Sequence, residues 1–223
     1  MKVIGITGGV GSGKSRVLAY IEEHVPAVIC QADHVAWNLQ TPGQVCYEKI
    51  VSYFGDSILN EDKTIDRKKL GQIVFGNQEK LSVLNQIMHP AVKAYIQKWI
   101  SEEANKGTKI FVIEAALLLE ENYIEICDEI WYIYSSEENR RLRLKESRKY
   151  SDEKIDAIFA SQLPEEVFRQ QCKTVIDNDN AFEHTCRQIE GKFYEIMQHS
   201  EWKELKLYLR CECYDTLASR YRN

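Results

Sequence analysis

The chain has 223 residues, 44% of them hydrophobic, which is enough for an α/β domain with a sizeable core and argues against a disordered chain. Its formal net charge of −5 argues against a general nucleic-acid binder, because such proteins are usually basic. No apolar run approaches the ~18 residues needed to span a bilayer, and residues 1–9 form a strand and a glycine turn rather than a signal peptide. We therefore expect a cytoplasmic protein without nucleic-acid or membrane partners.

Short apolar, β-rich runs recur along the chain and predict the strands. The predicted strands cover residues 2–7, 25–30, 109–113, 129–134 and 174–176. Continuous apolar strands that are separated by helices are typical of a parallel sheet covered on both faces. The pattern therefore predicts an α/β fold with a parallel five-stranded sheet.

Helical periodicity fills the segments between these strands. The predicted helices cover residues 13–23, 66–75, 79–88, 91–103 and about 182–209. Pro90 suits the start of the fourth of these helices. Two or more helices between the second and third strands exceed one ordinary crossover, so residues 42–99 are interpreted as containing a helical insertion. Residues 137–171 form another long, charged helical stretch.

The strongest signal is the glycine-rich segment after the first strand. Residues 8–15 read GGVGSGKS, match G-x-x-x-x-G-K-[ST] in full, and lie between a predicted strand and a predicted helix. Backbone N–H groups of such a loop converge on phosphate oxygens, and the helix N-terminus adds positive charge. Lys14 is expected to reach the β- and γ-phosphates of ATP, Ser15 to offer its hydroxyl to Mg²⁺, and Arg16 to contact phosphate through its backbone. The predicted nucleotide-binding residues are Gly9, Gly11, Ser12, Gly13, Lys14, Ser15 and Arg16.

The phosphate loop alone does not distinguish kinases from other nucleotide hydrolases. The chain has no Asn-Lys-x-Asp guanine signature, which argues against a GTPase. The size of the chain and the plan of a single sheet favour a small-molecule kinase.

Several further motifs resemble those of dephospho-CoA kinases. They are FGDSIL at 54–59, IDRKKL at 65–70, IVF at 73–75, LN-x-x-x-HP at 84–90, LLLE at 117–120 and VIDN at 175–178. Together with the phosphate loop, they carry the resemblance from about residue 2 to residue 180. The phosphate loop is generic, whereas this series of motifs is much more specific to the family.

The resemblance implies a P-loop NTPase three-layer fold with a helical substrate-binding insertion and a helical lid. A core of about residues 1–40, 100–136 and 172–223 would carry a CoA-binding insertion at about 42–99 and a lid at about 137–171. The implied activity is transfer of the ATP γ-phosphate to the ribose 3′-hydroxyl of dephospho-CoA, the last step of CoA biosynthesis. ATP and Mg²⁺ are the implied cofactors.

Asp33 follows the second predicted strand and has two interpretations. At the carboxyl edge of a parallel sheet, where ligands bind, a carboxylate can orient a hydroxyl and accept its proton. Asp is also a favoured helix N-cap, and Val35, Ala36 and Trp37 follow it, so that the residues alone favour the cap. The family's Asp-x-Asp motif aligns with Gln31-Ala32-Asp33 and implies that Asp33 is the catalytic base. The first Asp of that motif is replaced here by Gln31.

The charged stretch before residue 150 contains Arg140, Arg141, Arg143 and Arg148, with Lys145 and Lys149. A charged helix face is often only solvated, but the family's lid arginines fall here and stabilise the transferring phosphoryl group. Arg143 and Arg148 are the predicted catalytic pair, together with Lys14 and Asp33. Gln162 matches a family glutamine, whereas Ile158 replaces an arginine.

Glu114 ends the third predicted strand, where the family usually has Asp, and is predicted with Ser15 to hold Mg²⁺. His89 is interpreted as a residue at a helix boundary rather than a substrate contact. Cys211 and Cys213 form a lone C-x-C without a second pair at zinc spacing, which indicates neither a zinc site nor a disulfide.

Two other functions stay open. One is another P-loop kinase that acts on a nucleoside or a nucleotide. The other is a diverged relative that binds nucleotide without turnover, which Gln31, Glu114 and Ile158 favour and which the retention of Lys14, Ser15 and Asp33 disfavours.

Overall fold

The computed structural model describes residues 1–197, and these contain one five-stranded sheet. The strands are β1 Lys2–Thr7, β2 Ala27–Gln31, β3 Ile110–Glu114, β4 Glu129–Tyr134 and β5 Thr174–Asp177. Their order is β2-β3-β1-β4-β5, and every neighbouring pair is parallel. The predicted α/β fold with a parallel five-stranded sheet is confirmed.

Helices connect the strands in chain order. They are α1 Lys14–His24, α2 Ala32–Leu39, α3 Tyr47–Phe54, α4 Arg67–Val74, α5 Gln78–Asn105, α6 Glu137–Arg148, α7 Asp152–Ala160, α8 Glu165–Gln171 and α9 Phe182–Ile196. The cap interpretation of Asp33 already indicated a helix at the place of α2, whereas the sequence pattern did not indicate α3 as a separate helix. The end predicted for the last helix, near residue 209, lies outside the described residues, as do Cys211 and Cys213.

Several predicted strand boundaries are wrong by one or two residues, and one long charged stretch is divided into separate helices. Strand β2 begins after Pro26, not at residue 25, since proline has no N–H to donate to a neighbouring strand. The charged stretch 137–171 contains three helices, because Lys149 ends α6 in a left-handed conformation (φ 54°) and Ser151 caps α7. Strands β2, β3 and β5 each extend through a polar residue at the carboxyl end: Gln31, Glu114 and Asp177.

The predicted helix break at Pro90 is also wrong, since α5 runs unbroken from Gln78 to Asn105. Pro90 has no backbone N–H to donate to the carbonyl of Gln86, four residues earlier in the helix. Both residues are exposed. That carbonyl is on the solvent side, where water can bond to it, while the buried residues Met88 and Val92 hold the helix against the core. His89 is therefore inside a helix rather than at its boundary.

Two apolar cores lie on opposite faces of the sheet, as the alternation along β3 shows. Ile110 and Val112 pack with α1 and α9, while Phe111 and Ile113 pack with α2 and α5. The molecule therefore has three layers, with the sheet in the middle and helices on both sides. None of the helices within residues 1–197 is long and apolar enough to span a membrane.

Candidate active site

The carboxyl ends of β1, β2 and β3 surround a cavity of about 540 Å³. The loop from Gly9 to Ser15 forms one wall, and Gln31, Asp33 and Glu114 lie at the ends of the other two strands. This is the expected place for a ligand site in a parallel sheet, because the strand order reverses between β1 and its neighbours. The cavity brings together the phosphate loop and both predicted carboxylates.

The shape of the phosphate loop depends on glycine at specific positions. Gly11 and Gly13 have φ of +86° and +90°, in the left-handed region that other residues rarely adopt. A Cβ on Gly13 would also collide with Nδ2 of Asn178, and a Cβ on Gly9 with the guanidinium of Arg140. The sequence motif therefore reflects close packing against other chain segments as well as backbone conformation.

Lys14 is held against the loop that it follows. Its Nζ donates hydrogen bonds to the carbonyl oxygens of Gly8, at 2.6 Å, and Gly9, at 3.4 Å. Burial lowers the pKa of Lys14, and the nearby Glu114 charge opposes this shift. The amine is thus already at the cavity wall, where it can approach a bound phosphate.

Glu114 is close to Lys14 at the end of the central strand pair. In the sheet register it is level with Gln31 of β2 and Ile6 of β1. Burial raises the pKa of Glu114, while the Lys14 charge opposes that shift and the Asp33 charge adds to it. An amide at position 31, level with Glu114, avoids placing a third carboxylate in this cluster, where like charges would raise the pKa further.

Asp33 faces the phosphate loop rather than capping a helix. The N-cap position of α2 is Gln31, so the cap interpretation of Asp33 is wrong. Asp33 is exposed, is in the first turn of α2, and lines the cavity together with Lys14. His34 and Trp37 line the same cavity, although no sequence motif marks either as a site residue.

The two predicted lid arginines occupy different environments. Arg143 donates to the carbonyl oxygens of Ser12, at 3.3 Å, and Asn178, at 2.7 Å, and to the Ser135 hydroxyl, at 3.1 Å. Both arginines line the cavity, and the Arg148 charge acts on Lys14. Arg143 is therefore at the cavity while its guanidinium braces the phosphate loop, whereas Arg148 is at the cavity without a hydrogen bond to that loop among the described residues.

Arg140 also contacts the phosphate loop, although nothing in the sequence distinguishes it from its charged neighbours. Its Nε donates to the carbonyl oxygen of Val10, at 2.9 Å, and its Nη2 donates to Oε1 of Gln162, at 2.5 Å. The same Gln162 oxygen accepts from the Val10 N–H, at 3.3 Å. The guanidinium also lies 4.3 Å from the ring centroid of Phe159. Arg141, by contrast, forms ion pairs with Glu137, Asp152 and Asp156 on the helix exterior.

Asn178 and Asp179 join the phosphate loop to the ends of β4 and β5. Asn178 is buried, donates from Nδ2 to the Ser12 carbonyl, at 2.7 Å, and accepts from the Thr185 hydroxyl, at 3.0 Å. Oδ1 of Asp179 accepts from the backbone and hydroxyl of Ser136 and from Nδ2 of Asn139. The VIDN motif contains Asn178, but its contact with Ser12 spans the fold and has no local signal.

Three further residues that the sequence singles out, Arg16, Ser12 and His89, lie away from the cavity lining. The guanidinium of Arg16 is 3.8 Å from the ring centroid of Phe182, and its backbone N–H donates to the Gly13 carbonyl, at 3.0 Å. The Ser12 side chain is buried, so it would contact phosphate only through its backbone. His89 pairs with Glu121, with 2.5 Å between Nδ1 and Oε2, in a separate groove.

The oxygen donors of the cavity fit a Mg²⁺ ion that is shared with phosphates. Ser15 and Glu114 both line the cavity and provide the hard oxygen ligands that Mg²⁺ prefers. Within residues 1–197 there is no cluster of three or more His, Cys, Asp or Glu placed to hold a metal. A site with few protein ligands is typical of Mg²⁺ bound together with a nucleotide, which supplies the remaining oxygens.

Comparisons with known proteins agree on one family. The family model for dephospho-CoA kinase matches residues 2–184. The chain is 41% identical to a dephospho-CoA kinase of Carboxydothermus hydrogenoformans over 204 residues, which cover 92% of this chain and 97% of that protein. It is 35% identical to one of Shouchella clausii, covering 83% and 94%.

Solved structures show the same relationship. A dephospho-CoA kinase from Campylobacter jejuni superposes with a TM-score of 0.67 at 27% identity, covering 88% of this chain and 98% of that one. TT1252 from Thermus thermophilus shares the fold, with a TM-score of 0.75 at 24% identity over 88% and 98% of the two chains.

Proposed function

Because this chain belongs to the dephospho-CoA kinase family, we propose that its cavity transfers the ATP γ-phosphate to the ribose 3′-hydroxyl of dephospho-CoA. The product is coenzyme A, so the reaction is the last step of CoA biosynthesis. One observation carries the assignment of roles: Asp33 and Glu114 line the same cavity as the phosphate loop, and the charges of both carboxylates act on Lys14.

Asp33 is the proposed general base. Its carboxylate aligns the 3′-hydroxyl and accepts the proton as the oxygen attacks the γ-phosphorus. A new bond forms between the 3′-oxygen and phosphorus, and the bond from phosphorus to the oxygen that bridges the β- and γ-phosphates breaks. ADP leaves with that electron pair. The exposed side chain of Asp33 is well placed for this role because a substrate can reach it without opening the core.

The phosphate loop, Lys14 and the arginines hold the donor. Backbone N–H groups of the loop bind phosphate oxygens, and Lys14 moves from the carbonyl oxygens of Gly8 and Gly9 to the transferring group. Arg148 stabilises the charge that develops there, since it lines the same cavity. Arg143 acts by keeping the loop in shape.

Mg²⁺ would be held by the hydroxyl of Ser15 and, through water, by Glu114. When bound, it neutralises charge on the β- and γ-phosphates. Glu114 has a longer side chain than the usual Asp, and its position at the end of β3 keeps it within the same cavity as Ser15. The helices after β4 (α6 to α8) would act as a lid that excludes water during transfer.

The decisive experiment is ADP release with ATP and Mg²⁺, comparing dephospho-CoA with adenosine, AMP, CMP and no acceptor. We expect selective turnover with dephospho-CoA and a product that carries a 3′-phosphate. Turnover only with a nucleoside or a nucleotide would be consistent with the phosphate-loop assignment but would show that dephospho-CoA is not the acceptor. Binding of ATP without turnover on any acceptor would identify the chain as a non-catalytic relative.

A further inference from the structure

An aromatic side chain lines the active-site cavity on the side of Asp33. Trp37 is 42% exposed and lines the cavity together with Asp33 and His34. It is four residues after Asp33 in α2, so the two side chains are on the same helix face, one turn or ~6 Å apart. A large exposed indole at this place is available to a bound molecule that also reaches Asp33.

The indole is supported by two other side chains. The guanidinium carbon of Arg67 lies 4.3 Å from the ring centroid of Trp37, and the His34 ring centroid lies 4.9 Å away. Arg67 does not line the cavity, whereas Trp37 lines it and is 42% exposed, so the indole that packs on Arg67 still presents surface to the cavity. Arg67 is the first residue of α4, which Asp66 caps by accepting from the N–H groups of Lys68 and Lys69. A capped helix thus positions the cation that packs on Trp37.

The geometry of phosphoryl transfer decides which molecule Trp37 meets. The attacking oxygen and the leaving oxygen are roughly in line on opposite sides of the transferred phosphorus. The β-phosphate, the α-phosphate and the base of ATP therefore extend away from Asp33. Trp37 is on the same helix face as Asp33 and lines the cavity with it, so we assign it to the side of the acceptor.

We propose that Trp37 is the stacking platform for the adenine base of dephospho-CoA, with Arg67 and His34 positioning the indole. This inference rests on the proposed function, because it takes the acceptor hydroxyl to be at Asp33. The phosphorylated ribose carries the adenine directly, so the base must lie within one sugar ring of Asp33. The pantetheine arm is aliphatic and flexible, and it does not present the planar surface that an indole stacks on.

The first test compares steady-state kinetics of the wild type with the variants Trp37→Ala and Trp37→Phe. We expect Trp37→Ala to raise KM for dephospho-CoA on the order of 10-fold, since stacking of a base on an aromatic side chain contributes this much. KM for ATP and kcat should change little, and Trp37→Phe should recover most of the affinity. Ile124→Ala is the control, because Ile124 is 41% exposed, compared with 42% for Trp37, and lies outside both this cavity and residues 42–99.

A second measurement follows the indole itself. Titration of dephospho-CoA into the wild-type protein should quench tryptophan fluorescence, and the quenching should be much smaller in Trp37→Phe at saturating ligand. A change in KM for ATP rather than for dephospho-CoA would overturn the inference, and so would unchanged kinetics of Trp37→Ala. Failure of the wild type to phosphorylate dephospho-CoA would instead overturn the proposed function, and the inference with it.

Discussion

The two walls of the active-site cavity are built by different forces. The nucleotide wall is tied together by polar bonds: Arg143 and Asn178 both donate to the Ser12 carbonyl, and Arg140 and Gln162 hold Val10. The acceptor wall is built from apolar helix packing, in which Val35 and Leu39 of α2 meet the core that contains Met88 and Val92 of α5.

This difference corresponds to what each wall has to do. Stabilising a transferring phosphoryl group requires donors whose positions are fixed before the reaction, and a bonded loop provides them. Accepting a large substrate requires functional groups that are open to it, and Asp33 and Trp37 are exposed on a helix whose other face packs in the core. Mutations on the acceptor wall should therefore affect turnover more than stability, and mutations on the nucleotide wall should affect both.

The variant Asp33→Asn is expected to have the largest effect on activity. Loss of a general base typically costs 10²–10⁴-fold, so kcat should fall by at least about 100-fold. KM for ATP should change little, because Asp33 is on the acceptor wall. The free energy of unfolding should also stay nearly constant, since Asp33 is exposed and is not the cap of α2.

Steady-state kinetics and urea denaturation of the same preparation test this variant. Asn38→Ala, an exposed position further along α2, is a suitable control. Unchanged turnover of Asp33→Asn would remove Asp33 from the mechanism, and a large loss of stability would contradict the contrast between the walls.

The variant Asn178→Ala tests the nucleotide wall. It removes a buried donor to the Ser12 carbonyl and a buried acceptor for Thr185, so we expect a loss of about 1–3 kcal/mol in the free energy of unfolding. The phosphate loop should also loosen, which raises KM for ATP more than KM for dephospho-CoA. Thermal unfolding and kinetics measure both effects, with exposed Asn180→Ala as the control. A stable variant with normal KM for ATP would show that the loop keeps its shape without this bond.

The sequence predicts the nucleotide wall better than the acceptor wall, and the reason is locality. The phosphate loop, Lys14 and Ser15 form one continuous motif between a strand and a helix, so that pattern reasoning finds them directly. In the sequence, nothing distinguishes Trp37 from any other aromatic residue in a helix. Its contact with Arg67 and its place at the cavity depend on tertiary packing. The prediction at Pro90 fails for the same reason. Helix propensity predicts that a helix ends there, but the packing of Met88 and Val92 against the core overrides that propensity.

The smallest predicted effect concerns the polar network behind the nucleotide wall. Burial alone would raise the pKa of Asp179, but hydrogen bonds from Asn139, Ser136 and Ser135 outweigh it and hold the pKa at about 2. A carboxyl group whose pKa is lower in the folded state stabilises the fold above its unfolded pKa of ~3.9, and this contribution is lost as the pH falls through about 2. We expect Asp179→Asn to cost on the order of 1 kcal/mol at pH 7, after allowance for solvent screening.

The dependence on pH separates this charge effect from simple loss of packing. The difference in unfolding free energy between wild type and Asp179→Asn should be constant from pH 7 to about 5, shrink below pH 4 and vanish near pH 2. Asp62→Asn is the matched control, because Asp62 is an exposed loop carboxylate whose pKa is lowered mainly by hydrogen bonds from Thr64 and also by its own backbone N–H. Asp62→Asn should change the free energy of unfolding much less, because the Asp62 carboxylate accepts hydrogen bonds from Thr64 within one turn and does not link separate helices or strands. A difference for Asp179→Asn that is equally large at pH 2 and pH 7 would mean that the network depends on the shape of the side chain rather than on its charge.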